Sequence, residues 1–329
     1  MVKKKKWKFN WFGMYNIDGK GVSRDELEII KQPNFINFFK LYGRKFWRLI
    51  TVNLIFIFGN FPIFFFFMYK AGYFLPKSTS PVYQSFIPLY GASMFGDSPV
   101  MPALFGIFGK QVPITVQPLV PILIYFALIA LLLFTFGPVN TGITYICRNM
   151  VKGEPIFMWS DFKYAIKRNF KQSLIIGILD LLALLLLSYD VVYFLDRLGP
   201  VQMYIMFYMS ALMLLVFFIM RFYIYHIMIT FDLSIFKILK NSLIFSILGI
   251  KRNLMGLLGF ILLFAINYLI LSFYQPIGIL LPFIIVPASM LFIESYVAYP
   301  KIKEYMIDPY ADENADENGD GTGDTDSVL

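Results

Sequence analysis

Residues 173–195 read SLIIGILDLLALLLLSYDVVYFL, and residues 203–230 read MYIMFYMSALMLLVFFIMRFYIYHIMIT. Each run is long and apolar enough to cross a bilayer as a helix, which takes about 20 mostly apolar residues. A connection of a few residues, Asp196-Arg197-Leu198-Gly199-Pro200, joins them. The pair therefore reads as a transmembrane helical hairpin. Asp180 lies well inside the apolar stretch of the first run and Arg221 well inside that of the second.

The rest of the chain agrees. Of 329 residues, 58% are hydrophobic and only 15% charged, against about a quarter charged in soluble domains. This composition argues against a soluble enzyme, a disordered protein or a disulfide scaffold. A single cysteine, Cys147, cannot form an internal bridge, and a single histidine, His226, cannot build a His-rich metal site. GxxxxGK[ST], HExxH and GxSxG are absent, so neither a Walker loop nor those hydrolytic motifs are present. The expectation is a chain that is not an enzyme and holds no cofactor and no metal.

Six spans are expected, at 46–69, 119–146, 173–195, 203–230, 254–272 and 277–298. The predicted fold is all-α: a polytopic membrane domain over 35–307, preceded by a basic N-terminus (1–34) and followed by a disordered acidic tail (308–329). Alternate connections, taken with the two ends and with Arg48 at the start of the first span, hold 24 of the 29 lysines and arginines; the other connections hold four. Positive residues stay on the cytoplasmic side, so both termini are expected there. The bases flank apolar segments, which points to anionic lipid headgroups rather than nucleic acid. Segment 70–118, rich in proline, glycine and aromatics, is expected at the outer interface, capping the bundle or presenting a partner surface. Asp316, Asn318, Asp320 and Gly321 are spaced like the start of a calcium loop, but Ser327 stands where the bidentate acid belongs.

A weak repeat runs along the cytoplasmic side. Phe35, Phe38, Phe39, Tyr42 and Phe46 follow helical spacing beside Lys40 and Arg44. Phe162, Ile166 and Phe170 do so beside Lys163, Lys167 and Lys171, and Ile235, Ile238 and Leu239 beside Lys237 and Lys240. Such segments read as amphipathic helices in the membrane interface, each leading into a hairpin. The junctions Lys167-Arg168-Asn169-Phe170 and Lys251-Arg252-Asn253-Leu254 look alike.

At 136–172 the chain reads FGPVNTGITYICRNMVKGEPIFMWSDFKYAIKRNFKQ. Through Gly137-Pro138, Arg148, Gly153-Glu154, Asp161-Phe162 and Asn169 to Gln172, this block resembles the YesL-like family of bacterial membrane proteins, a domain of unknown function. Asn53-Leu54 with Asn60-Phe61-Pro62, and Phe231 to Ser234 with Leu239-Lys240-Asn241, are similar more weakly. The resemblance implies a multi-pass protein of the bacterial cytoplasmic membrane. It also implies a role accessory to carbohydrate uptake, beside sugar ABC transporter components. It supplies no catalytic or ligand residues.

Physically, Gly137-Pro138 is expected to kink or loosen its span. Gly153-Glu154-Pro155 should turn the chain, and Ser160 should cap a helix with Asp161 in its first turn. Asp180 and Arg221 are the candidate intramembrane pair. They fix helix register as an ion pair, or line a proton or solute path, or do not meet at all, with Arg221 reaching for the interface. The path reading makes the chain a small secondary permease. His226 is expected at the interface, and Asn53, Asn60, Asn140 and Asn267 in helix packing.

The charge asymmetry predicts the topology. A reporter active only outside the cell should work when fused within 70–118 and fail when fused at the C-terminus. An active C-terminal fusion would mean an odd number of spans.

Overall fold

The computed structural model describes residues 34–70, 77–81, 111–115 and 119–309. The basic run Lys3 to Lys6, most of the outer segment and the calcium-like spacing in the tail lie outside the described residues. Contacts divide the chain into two compact units, Met1–Asn60 with Leu133–Leu329, and Phe61–Leu132.

The elements are α1 (Phe35–Gly59), α2 (Phe61–Lys70), β1 (Lys77–Pro81), β2 (Gln111–Thr115), α3 (Leu119–Lys152), α4 (Met158–Leu195) and α5 (Val201–Thr230). They continue with α6 (Ile235–Leu248), α7 (Ile250–Phe273), α8 (Gln275–Ile284), α9 (Val286–Ile302) and a π-helical turn, Lys303–Ile307. The membrane region is all-α, as the composition predicts. Within the outer segment, β1 and β2 pair antiparallel, Lys77 opposite Thr115 and Pro81 opposite Gln111; a helical reading of the chain did not foresee this ribbon. In the same unit Tyr69 and Tyr125 stack with ring centroids 4.3 Å apart.

Four helices among the described residues are long and apolar enough to span a membrane, and a fifth span arises if the bent pair α8 and α9 counts as one. This differs from the six expected. The segment 46–69 is two helices broken at Asn60, and bases reach as far as Arg48 in the first of them. The last expected span is bent by 51° where α8 meets α9. Two junctions also differ. The surface helix at 160–172 runs straight into its span as α4, marked by a kink at Asn169 (φ −112°, ψ 16°). The third surface helix is a separate element, α6, which ends at Gly249 before α7.

Burial is concentrated at one end of the helices of the larger unit. Leu49, Ile143, Met150 and Phe292 form one cluster, and Phe222, Tyr223, Ile238, Phe260 and Val297 another. Toward the α4–α5 turn the same helices expose Leu185, Leu186, Leu212 and Met213. In water such a surface would drive aggregation; in a bilayer it meets hydrocarbon.

Polar side chains repair the backbone where prolines interrupt it. Pro287, near the start of α9, has no N–H for the carbonyl four residues back, that of Phe283. Asn53 of α1 supplies the missing donor: its Nδ2 reaches the Phe283 carbonyl at 2.8 Å, and its Oδ1 accepts the Ala288 N–H at 2.9 Å. Pro300 likewise frees the Tyr296 carbonyl, which accepts from Arg252 Nη2 at 2.8 Å. At the α6–α7 break, Asn253 Nδ2 donates to the Ser246 carbonyl at 2.9 Å, and its Oδ1 accepts from the Tyr223 hydroxyl at 2.6 Å. Gly137 and Gly177 allow a close helix approach: a Cβ on Gly137 would run into the Ser173 carbonyl and Gly177 Cα.

Asn53→Ala should lower stability by about 1–3 kcal/mol, the cost of stranding buried polar groups. A melt of the full chain in mild detergent measures it.

Candidate functional site

α4 and α5 form a hairpin, so residues at similar distances from its open end come to similar depth. Asp180 lies 11 residues beyond the Asn169 kink and Arg221 nine residues before Thr230, or ~16 and ~14 Å at 1.5 Å per residue. The structure brings them together. Arg221 Nε stands 2.7 Å from Asp180 Oδ1, an ion pair whose N–H is not aligned on that oxygen. The aligned hydrogen bond goes to the other oxygen, where the Tyr225 hydroxyl donates to Asp180 Oδ2 at 3.0 Å. Asp180 and Tyr225 are 2% and 3% exposed. Tyr225 is one helical turn from Arg221, so α5 presents a cation and a hydroxyl to the same carboxylate.

Glu294 of α9 lies in the electrostatic field of both Arg221 and Asp180 and is 7% exposed. One residue on, Ser295 Oγ is 2.9 Å from His226 Nε2. His226, expected at the interface, is buried within the α5–α9 contact. The physical reason is the packing of α9 across the end of α5, which the apolar run of α5 gives no means of locating. Cys147, in the field of Glu294, is buried as well.

The other sequence-marked residues sit nearer the open end of the hairpin. Arg148 Nη1 donates to Thr230 Oγ1 at 3.1 Å, its Nη2 to Asn149 Oδ1 at 3.2 Å, and the guanidinium lies over the Tyr145 ring. Thr230 Oγ1 in turn donates to the His226 carbonyl at 2.6 Å. Gly153 adopts φ 79°, a left-handed conformation that glycine takes without strain, and the Glu154 N–H bonds the Asn149 carbonyl behind it. The Glu154 carboxylate pairs with Lys152. Ser160 is not the helix cap: α4 starts at Met158, and Asp161 Oδ2 reaches back to the Phe157 N–H at 2.8 Å. Asn169 Nδ2 bonds the Ala165 carbonyl at 3.0 Å, at the kink.

Pro138 lies inside a continuous α3 rather than at a break. One half-turn on, Asn140 Nδ2 bonds the Phe136 carbonyl and Thr141 Oγ1 the Gly137 carbonyl, each at 2.8 Å. Sequence reasoning missed Gly177 and Tyr225. The first is one glycine in a leucine-rich run, and the second shows its role only by its spacing from Arg221. Among the described residues, no group of three His, Cys, Asp or Glu is placed to hold a metal.

A family model described as "Protein of unknown function, DUF624" matches residues 119–191. That stretch is α3 and most of α4, with Gly137, Arg148, Asp161, Asn169 and Asp180 inside it and Arg221 beyond it. No curated protein and no solved structure matches the chain.

Breaking a buried ion pair from one side leaves the other charge uncompensated, at about 3–5 kcal/mol. Asp180→Ala or Arg221→Ala should each reduce the folded protein recovered from membranes, and Tyr225→Phe should do so less. The exchange Asp180→Arg with Arg221→Asp should restore part of the yield. Single variants that accumulate and melt like the parent would show that the pair does not hold the hairpin.

Proposed function

We propose that this chain is a YesL-like integral protein of the bacterial cytoplasmic membrane, with both ends cytoplasmic. It acts as an accessory or regulatory partner of carbohydrate uptake, contacting sugar ABC transporter components, and not as an enzyme. The observation that carries this reading is how its intramembrane polar groups are used. Asp180 is held by Arg221 and Tyr225, and the broken helix α8–α9 is closed by Asn53. A broken membrane helix whose free ends face a cavity is a common way to bind a solute. Here a side chain of the same protein occupies those ends, as suits a scaffold that holds one shape while it contacts a partner. The carbohydrate context comes from the resemblance of the 136–172 block.

A second reading, a small secondary permease, is favoured by Glu294 and His226. Glu294 lies in the electrostatic field of the Asp180–Arg221 pair, and His226 is buried against Ser295 on the same helix as Glu294. Ionisable groups inside a membrane often mark proton or solute routes.

Two measurements separate the readings. Purification of the tagged full chain in mild detergent should bring down the permease or solute-binding components of a sugar transporter. In proteoliposomes the purified chain alone should give no sugar flux above empty vesicles. Flux by the chain alone, abolished by Glu294→Gln in a protein that still folds, would replace the accessory reading with the permease.

A further inference from the structure

A half-open cleft of about 100 Å³ lies between α1, α7 and α9, away from the Asp180–Arg221 pair. Its walls are mainly apolar, with Phe35, Phe38, Met255 and Ile293 among them, and Arg252 and Asn34 line it as well. Gly256 and Gly259 form its floor on α7. A Cβ at Gly256 would press on Val297 Cγ2 at 2.9 Å, whereas one at Gly259 would meet Ile293 at an ordinary 3.5 Å.

Arg252 has donors to spare. One Nη2 hydrogen goes to the Tyr296 carbonyl, and among the described residues the buried Nε has no partner. Guanidinium carries five N–H donors in a planar fork that suits phosphate oxygens. The acid in its field, Glu304, is already paired with Lys301 at 2.8 Å.

Depth in the membrane matters as much as shape. α7 has 24 residues, ~36 Å of helix, slightly more than the ~30 Å hydrocarbon core. Its first turn, which holds Arg252, therefore sits at headgroup level. Gly259 lies seven residues further along, or ~10 Å deeper, among acyl chains. The cleft is thus cationic where phosphates lie and apolar where chains lie.

We propose that this cleft binds one anionic phospholipid, its phosphate on Arg252 and an acyl chain laid along Gly256 and Gly259. The lipid would tie the N-terminal end of α1 to α7 and α9, whose side chains all line the cleft.

The test is native mass spectrometry of the full chain in mild detergent, titrated with phosphatidylglycerol, with phosphatidylcholine and with inorganic phosphate. The first phosphatidylglycerol adduct should form about fivefold more tightly than the phosphatidylcholine adduct, the factor for one basic side chain at an anionic surface. Arg252→Gln should erase the preference, and Arg252→Lys should keep most of it. Gly259→Leu, which fills the floor, should weaken both adducts. Lys251→Gln, a neighbouring exposed base outside the cleft, should change nothing. If Arg252→Gln does not fold, the Arg252→Lys and Gly259→Leu results decide. The proposal is overturned by equal binding of the two lipids, by a preference that survives Arg252→Gln, or by adducts indifferent to Gly259→Leu. Displacement of the adduct by inorganic phosphate would also overturn it, making Arg252 a site for the free ion.

Discussion

A peptide carbonyl that loses its helical donor inside hydrocarbon has no water to turn to, and the prolines of this chain create that situation repeatedly. Pro287 frees the Phe283 carbonyl and Asn53 takes it; Pro300 frees the Tyr296 carbonyl and Arg252 takes it. In both cases the donor comes from a different helix, so the repair also fixes one helix against another. α1 is held to α8 and α9 through Asn53, and α7 is held to α9 through Arg252. Lipid tails are as apolar as leucine and give helices little reason to associate. Bonds of this kind, with the Asp180–Arg221 pair and the Gly137–Gly177 approach, specify the packing of the larger unit.

How much of this the sequence discloses depends on the range of the interaction. The membrane class and the α4–α5 hairpin are legible because apolar runs and short connections are local. Asp180 and Arg221 could be paired by counting inward from the ends of two adjacent helices. The junctions Lys167-Arg168-Asn169 and Lys251-Arg252-Asn253 are visible as similar strings, and in the structure their asparagines behave alike, each bonding carbonyls of the preceding helical segment. Long-range partners are not legible in this way. Asn53 meets Phe283 across 230 residues, and its neighbours carry no mark of that partner. The bend at Ile285 lies in a run apolar throughout, so hydropathy passes straight over it. The ribbon of β1 and β2 depends on pairing across a long excursion whose proline content had argued only against a helix.

Arg252 shows how one residue type can be read at three levels. In the sequence it is one more base in a cytoplasmic connection, and it counts toward orientation. In the packed helices it is the donor that makes Pro300 tolerable. It also lines a cleft whose other walls are mainly aromatic and aliphatic. Near Asp180 the Tyr225 hydroxyl and Arg221 Nε converge on one carboxylate. The two regions therefore differ in kind, one closed on itself and the other open toward the bilayer.

The span between Asn53 and its partners also sets a schedule. A chain made at roughly 5–20 residues per second delivers Phe283 some 10–50 s after Asn53, given their separation of 230 residues. Throughout that interval the first helix is already in contact with the membrane, with its amide unsatisfied and its final neighbours not yet made. The N-terminal helix is thus the first element to arrive and among the last to be locked. The closing step of assembly is the docking of the final helices onto it. A ribosome that stops before Ala288 leaves α1 without the partners that close its Asn53 amide.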